Sequence, residues 1–113
     1  MQANDLVRLR HMLDSAREAL AFSQGKSRQE LEHDRLLQLG LVRLIEVVGE
    51  AANQVSSETQ ILYPSIPWKQ VIGMRHRLIH GYDVIDLDIL YSTVREDLPV
   101  LIEALETIVV PDP

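Results

Sequence analysis

Arg75-His76-Arg77 and His80-Gly81-Tyr82 bring two guanidinium groups, two imidazoles and a phenol within eight residues. Histidine titrates close enough to neutral pH to take or give a proton, and arginine presents a planar fork of donors that matches phosphate oxygens. Together they suit the handling of a phosphate group. The surrounding window points the same way. Between Glu58 and Asp83 there is no acidic residue, although the chain carries 17 Asp and Glu against 11 Lys and Arg, a formal net charge of -6. Overall acidity argues against a protein that coats polyanions, whereas a local positive segment can hold one phosphate. Chance alone also produces charge-poor windows of this length. His76 and His80 are four residues apart and would share a helix face, as a metal-ligand pair does. With no cysteine and no third ligand at zinc-site spacing, neither a metal nor another cofactor is expected.

The elements that must position these groups read as helices throughout. Leu6, Leu9, Leu13, Ala16 and Leu20 predict a first helix from about Asp5, a possible N-cap, to about Gln24, stopped by Gly25. Ser27 and Glu30 form a capping-box pattern that opens a second helix reaching about Val55. On it Leu37, Leu41, Leu44, Val48, Ala51 and Val55 keep the helical step, while Leu36, Leu39 and Val47 widen the apolar surface enough for two partners. Its small residues Gly40, Gly49, Ala51 and Ala52 let another backbone come close. One short turn is expected at Glu58 to Leu62, then a third long helix from Pro67 to about His80, closed by Gly81. The last helix runs from near Asp86 to about Val109, bent or divided at Pro99 with Asp97 capping its second half. No strand pattern is evident. The fold class is therefore all-α, an up-down bundle of four main helices plus a short connecting helix, in a single domain spanning residues 1–113. The 46% hydrophobic, 25% charged composition excludes a disordered or low-complexity chain, and neither an apolar leader nor a membrane-length segment is present. A cytoplasmic protein is expected.

On the third helix Trp68, Val71, Ile72, Leu78 and Ile79 mark an apolar face, with Arg75 in its middle. A guanidinium there needs a carboxylate, for which Glu50 or Glu46 is the candidate, or an anionic ligand in a cleft. His80 would fall in the final turn, where the helix dipole favours a cation. At about 100° per residue, Arg75 and His80 point roughly 140° apart on one regular helix. Either the last turn unwinds at Gly81, or each group meets its partner from another copy of the chain. Tyr82 either packs its ring on the helix end or stands free.

The run Arg75-His76-Arg77-Leu78-Ile79-His80-Gly81-Tyr82 has the form Arg-x4-His-x-Tyr. With Ile66-Pro67-Trp68 and Ile72-Gly73-Met74 before it, Ile45 to Ala52 upstream and Asp86 to Leu90 downstream, it resembles the HepT-like branch of the HEPN superfamily, toxin components of bacterial and archaeal toxin-antitoxin pairs. The resemblance covers about Leu36 to Leu101; it departs at His76, where many relatives have Asn. It implies a helical homodimer with a metal-independent endoribonuclease site in the dimer cleft, with catalytic residues Arg75 and His80 from both copies. His76, Arg77 and Glu50 are the candidates to support RNA binding beside them, His76 either as added positive charge or as a further proton-transfer group. The resemblance also implies a minimal nucleotidyltransferase antitoxin that neutralises the toxin by adenylylating Tyr82. A different reading of the same residues is a non-catalytic helical module that binds nucleotide or a nucleotidyltransferase, with arginines on phosphate and the phenol on the base.

Overall fold

The computed structural model describes residues 1–82 and 84–109. Asp83 and residues 110–113, the end of the expected domain, lie outside them. The fold is mostly helical, with one two-stranded ribbon. Among the described residues no helix is long and apolar enough to cross a membrane.

Helix α1 (Asp5–Ser23) buries Leu9, Met12, Leu13, Ala16 and Ala19 along one face, with Leu6 and Leu20 at the margin of that stripe. Gly25, at φ +74°, turns the chain out of it. Asp5 is not the N-cap: Asn4 holds that position, and Asp5 points inward, 2% exposed. Its Oδ1 accepts from the Ser56 N–H at 2.9 Å and its Oδ2 from the Ser56 hydroxyl at 2.6 Å and from the Thr59 hydroxyl. These bonds, the Ser56 hydroxyl foremost, lower the Asp5 carboxyl from 3.8 to about 2. They tie the start of α1 to α4 (Ser57–Leu62), the short connecting helix.

The second predicted helix divides. The Ser27–Glu30 capping box forms, but α2 (Arg28–Glu32) stops after five residues and α3 (Arg35–Gln54) starts afresh, with Asp34 Oδ1 accepting from Leu37 N–H at 3.0 Å. Gln38 bridges the break: buried, it donates its side-chain amide to the Leu31 and Glu32 carbonyls of the last turn of α2 at 2.9 and 3.2 Å. Helix α3 then lies against α1 and against the short α5 (Trp68–Ile72) and α6 (Met74–Leu78).

That second contact depends on Gly49. A Cβ there would stand 3.2 Å from the Val71 carbonyl oxygen and 3.3 Å from that of Ile72, whereas at Gly40 it would meet open space. Overpacking costs about 1–3 kcal/mol, and removing a helical glycine returns about 1 kcal/mol. We therefore expect Gly49→Ala to lose up to about 2 kcal/mol and Gly40→Ala to gain about 1 kcal/mol. Urea unfolding should move the two midpoints in opposite directions; a shared sign would show that the α5 backbone yields freely.

The third predicted long helix is also interrupted. Gly73 sits at φ -90°, ψ 2°, between α5 and α6, and α6 ends at Leu78. Ile79–His80 (β1) pairs antiparallel with Val84–Ile85 (β2), Ile79 opposite Ile85 and His80 opposite Val84, around a turn in which Gly81 takes φ +70°. The last helix is continuous in direction but not in type: α7 (Leu87–Ser92), a π turn at Thr93–Asp97, and α8 (Leu98–Glu106). Pro99 supplies no N–H and crowds the carbonyl one turn back, so the wider turn falls where a regular ladder fails. Thr93 joins in by donating its hydroxyl to Ile89 O at 2.8 Å. Asp97 makes no capping bond.

Candidate functional site

Helix α6 is one turn long, and Met74 and Leu78, four residues apart, supply its buried side. Gly73, at φ -90° and ψ 2°, separates it from α5. Arg75, expected in the middle of an apolar face, stands outward instead, its side chain 48% exposed, beside exposed His76 and Arg77. Arg75 Nε donates to Glu46 Oε2 at 2.6 Å, which settles its partner as Glu46 rather than Glu50. Glu46 also accepts from Arg43 Nη1, and Arg43 Nη1 lies 3.9 Å from Glu50 Oε2. The Arg43 bond, with Arg75 adding to it, holds the Glu46 carboxyl below the usual carboxylate range.

Around Arg75 lies an open cleft of about 260 Å³ lined by Glu46, Gly49, Glu50, Asn53, Ile72, Arg75 and His76. Residues 46, 49, 50 and 53 follow one face of α3 at helical spacing, and the close approach at Gly49 keeps the α5–α6 wall against them. The cleft offers a guanidinium, an imidazole and two carboxylates around an anion-sized space. Asn53 joins the site without belonging to the basic segment, and its spacing from Glu46, Gly49 and Glu50 is the signal in the sequence that marks it.

His80 is on β1, not in a helical turn, and is absent from the lining of this cleft. Its side chain is 61% exposed, and its Nε2 lies 3.3 Å from Asp86 Oδ2. Arg77 faces another way, its Nη2 3.9 Å from Asp97 Oδ2 at the rim of a separate hollow lined by Met74, Val100 and Leu101. Tyr82 is 97% exposed, so its ring does not pack on a helix end. One copy of the chain therefore gathers Arg75, His76 and Glu50 and leaves His80, Arg77 and Tyr82 outside their cleft. No group of three His, Cys, Asp or Glu at metal-binding spacing occurs among the described residues.

Residues 12–108 match the family model described as Ribonuclease HepT-like. The chain belongs to this family. Among similar proteins, a candidate RNase of Methanocaldococcus jannaschii is 29% identical over 97 residues, which are 86% of this chain and 89% of that protein. A protein of Thermococcus cleftensis named probable ribonuclease HepT is 38% identical over 68 residues, 60% of this chain and 62% of its own. A candidate RNase of Caldanaerobacter subterraneus is 30% identical over 93 residues, 82% of this chain and 83% of that protein. No solved structure matches the chain. The matched span of the HepT-like family takes in the Arg75 cleft, His80, Tyr82 and Asp86.

Proposed function

We propose that this HepT-like protein is a metal-independent endoribonuclease, the toxin of a toxin-antitoxin pair acting in the cytoplasm, whose site is completed across a homodimer. The observation that carries the reading is that Arg75 and His80 are both exposed and both held by a carboxylate, while His80 stands outside the Arg75 cleft. A two-fold axis that faces two such surfaces together doubles the histidine and sets it against phosphate-binding arginines.

The chemistry follows from the side chains. One imidazole takes the proton of an RNA 2'-hydroxyl as the 2'-oxygen attacks phosphorus. An imidazolium, the second His80 of the dimer, gives a proton to the 5'-oxygen as its bond to phosphorus breaks. The products are a 2',3'-cyclic phosphate and a 5'-hydroxyl, and the two imidazoles have exchanged protonation states. Arg75 supplies fixed positive charge to the non-bridging oxygens, where charge accumulates in the transition state. His76 and Arg77 add positive charge for the RNA strand, and Glu50, on the cleft wall, supports the site from beside Arg43, 3.9 Å away. Tyr82 accepts AMP from a minimal nucleotidyltransferase antitoxin, which adds negative charge and bulk where RNA enters.

The purified protein, shown by mass to carry no AMP, should cleave RNA in excess chelator and leave cyclic phosphate ends. A substrate with a single deoxynucleotide at the cut position should be inert there. Absence of turnover with nucleotide binding retained would replace this reading by the non-catalytic module, and 3'-hydroxyl ends would rule out attack by the 2'-oxygen.

A further inference from the structure

Asp86 occupies the junction between the ribbon and the last helix, and the backbone fixes it on both sides. Its N–H donates to Leu78 O at 2.7 Å, closing the ribbon, and its carbonyl accepts from Leu90 N–H at 2.9 Å, opening α7. Its Oδ1 caps α7 by accepting from Ile89 N–H at 3.1 Å. With one carboxylate oxygen committed to the cap, the other, Oδ2, stands 3.3 Å from His80 Nε2. The carboxyl is held below its ordinary range, first by the Ile89 N–H and then by His80, so at neutral pH it is an anion. An ionised carboxylate can only accept a hydrogen bond. Nε2 must then carry the hydrogen whether the ring is neutral or charged, and the neutral ring keeps its lone pair on Nδ1.

We propose that Asp86 is the positioning residue of His80: it selects the Nε2–H tautomer and fixes the ring so that Nδ1 is the atom that exchanges protons with RNA. This rests on the reading of His80 as a proton-transfer group. In the cleavage step, Nδ1 takes the 2'-hydroxyl proton as the new bond to phosphorus forms, and the Nδ1–H of the second copy's imidazolium goes to the leaving 5'-oxygen. Asp86 itself gains and loses no proton. The pair is too exposed to matter much for stability. Its effect is on which nitrogen reacts and where that nitrogen points.

The cap and the histidine contact can be separated. Asparagine caps helices as well as aspartate does, so Asp86→Asn keeps its oxygen on Ile89 N–H and turns an amide NH2, a donor, toward Nε2. That arrangement favours the opposite tautomer. Long-range 1H–15N spectra of protein labelled in histidine, recorded without RNA above the pH at which the ring titrates, should show Nε2–H at His80 in the wild type. Asp86→Asn should show Nδ1–H or a mixture, with kcat lowered on the order of 100-fold and KM nearly unchanged; a triad histidine forced into the wrong tautomer loses about 10⁴-fold. Asp86→Ser, which also caps but is too short to reach the ring, serves if the Asn variant does not fold, and should lose the Nε2–H preference and kcat together. A wild-type ring protonated on Nδ1, or a tautomer change that leaves kcat intact, overturns the proposal. A wild-type protein inert on RNA overturns the ribonuclease reading instead, and is recognised by an intact Nε2–H signature without turnover.

Discussion

Replacing His80 by alanine should lower RNA cleavage in chelator by about 10³- to 10⁴-fold while leaving the protein folded and dimeric. The size follows from general acid–base catalysis, which contributes about 10²- to 10⁴-fold per positioned group. In a homodimer one substitution removes both copies, so the base and the acid go together. The fold should survive because the His80 side chain is 61% exposed and its polar contact is with a carboxylate that caps α7 without it. Initial rates on a defined RNA, read beside a thermal melt and a sedimentation profile, check both halves. Full cleavage by His80→Ala with chelator present would exclude His80 from the chemistry. Failure to fold would instead give the ribbon a stabilising role that its exposure does not suggest.

Tyr82→Phe should abolish neutralisation without touching cleavage. Tyr82 stands two residues beyond His80, at the turn of the ribbon, and is 97% exposed. No packing is lost when its oxygen is removed. The phenol oxygen is the atom that would bond to the α-phosphorus of ATP with release of pyrophosphate, and phenylalanine has no such atom. After co-expression with a neighbouring nucleotidyltransferase, the wild-type peptide containing Tyr82 should carry the mass of one AMP and the protein should be inactive on RNA. The Phe variant should be unmodified and fully active, and cells expressing it should stop growing. An AMP found on another peptide, or a Phe variant that the nucleotidyltransferase still silences, would reject Tyr82 as the acceptor.

Much of the architecture was legible because it is written in short-range chemistry. The Ser27–Glu30 box, the Gly25 stop, the short helix after Ser56 and the start of the last helix at Asp86 are signals carried by one to four residues, and each forms. The misses share a cause. Asp34 falls between the Ser27–Glu30 box and the Leu37 to Val55 stripe, and Gly73 falls within the run from Trp68 to Ile79, so the helical signals on either side conceal each break. At Asp34 the buried Gln38 amide reaches back seven residues to the Leu31 carbonyl, a contact across the break that helical spacing does not announce. At Gly73 the misreading carried a chemical consequence. An unbroken helix puts Arg75 seven residues from Trp68 on the inner face, and the actual turn gives that face to Met74 and Leu78. A ribbon with strands two residues long is too short for any alternation to show, so helical spacing runs on through His80 and hides its contact with Asp86. The Glu46 pairing was within reach, since the sequence narrowed the choice to two glutamates on one helix and geometry selected between them.

Glu46 receives two guanidinium groups at once, Arg43 from its own helix and Arg75 from across the cleft. The doubling bears on turnover. When an arginine leaves a one-to-one pair to follow a phosphodiester, it strands a bare anion in a partly dehydrated wall, and the ligand must make up the difference. Here Arg43 stays on Glu46 as a counter-ion, so in the proposed ribonuclease Arg75 would exchange carboxylate for phosphate, and release product by the reverse exchange, at a smaller electrostatic penalty.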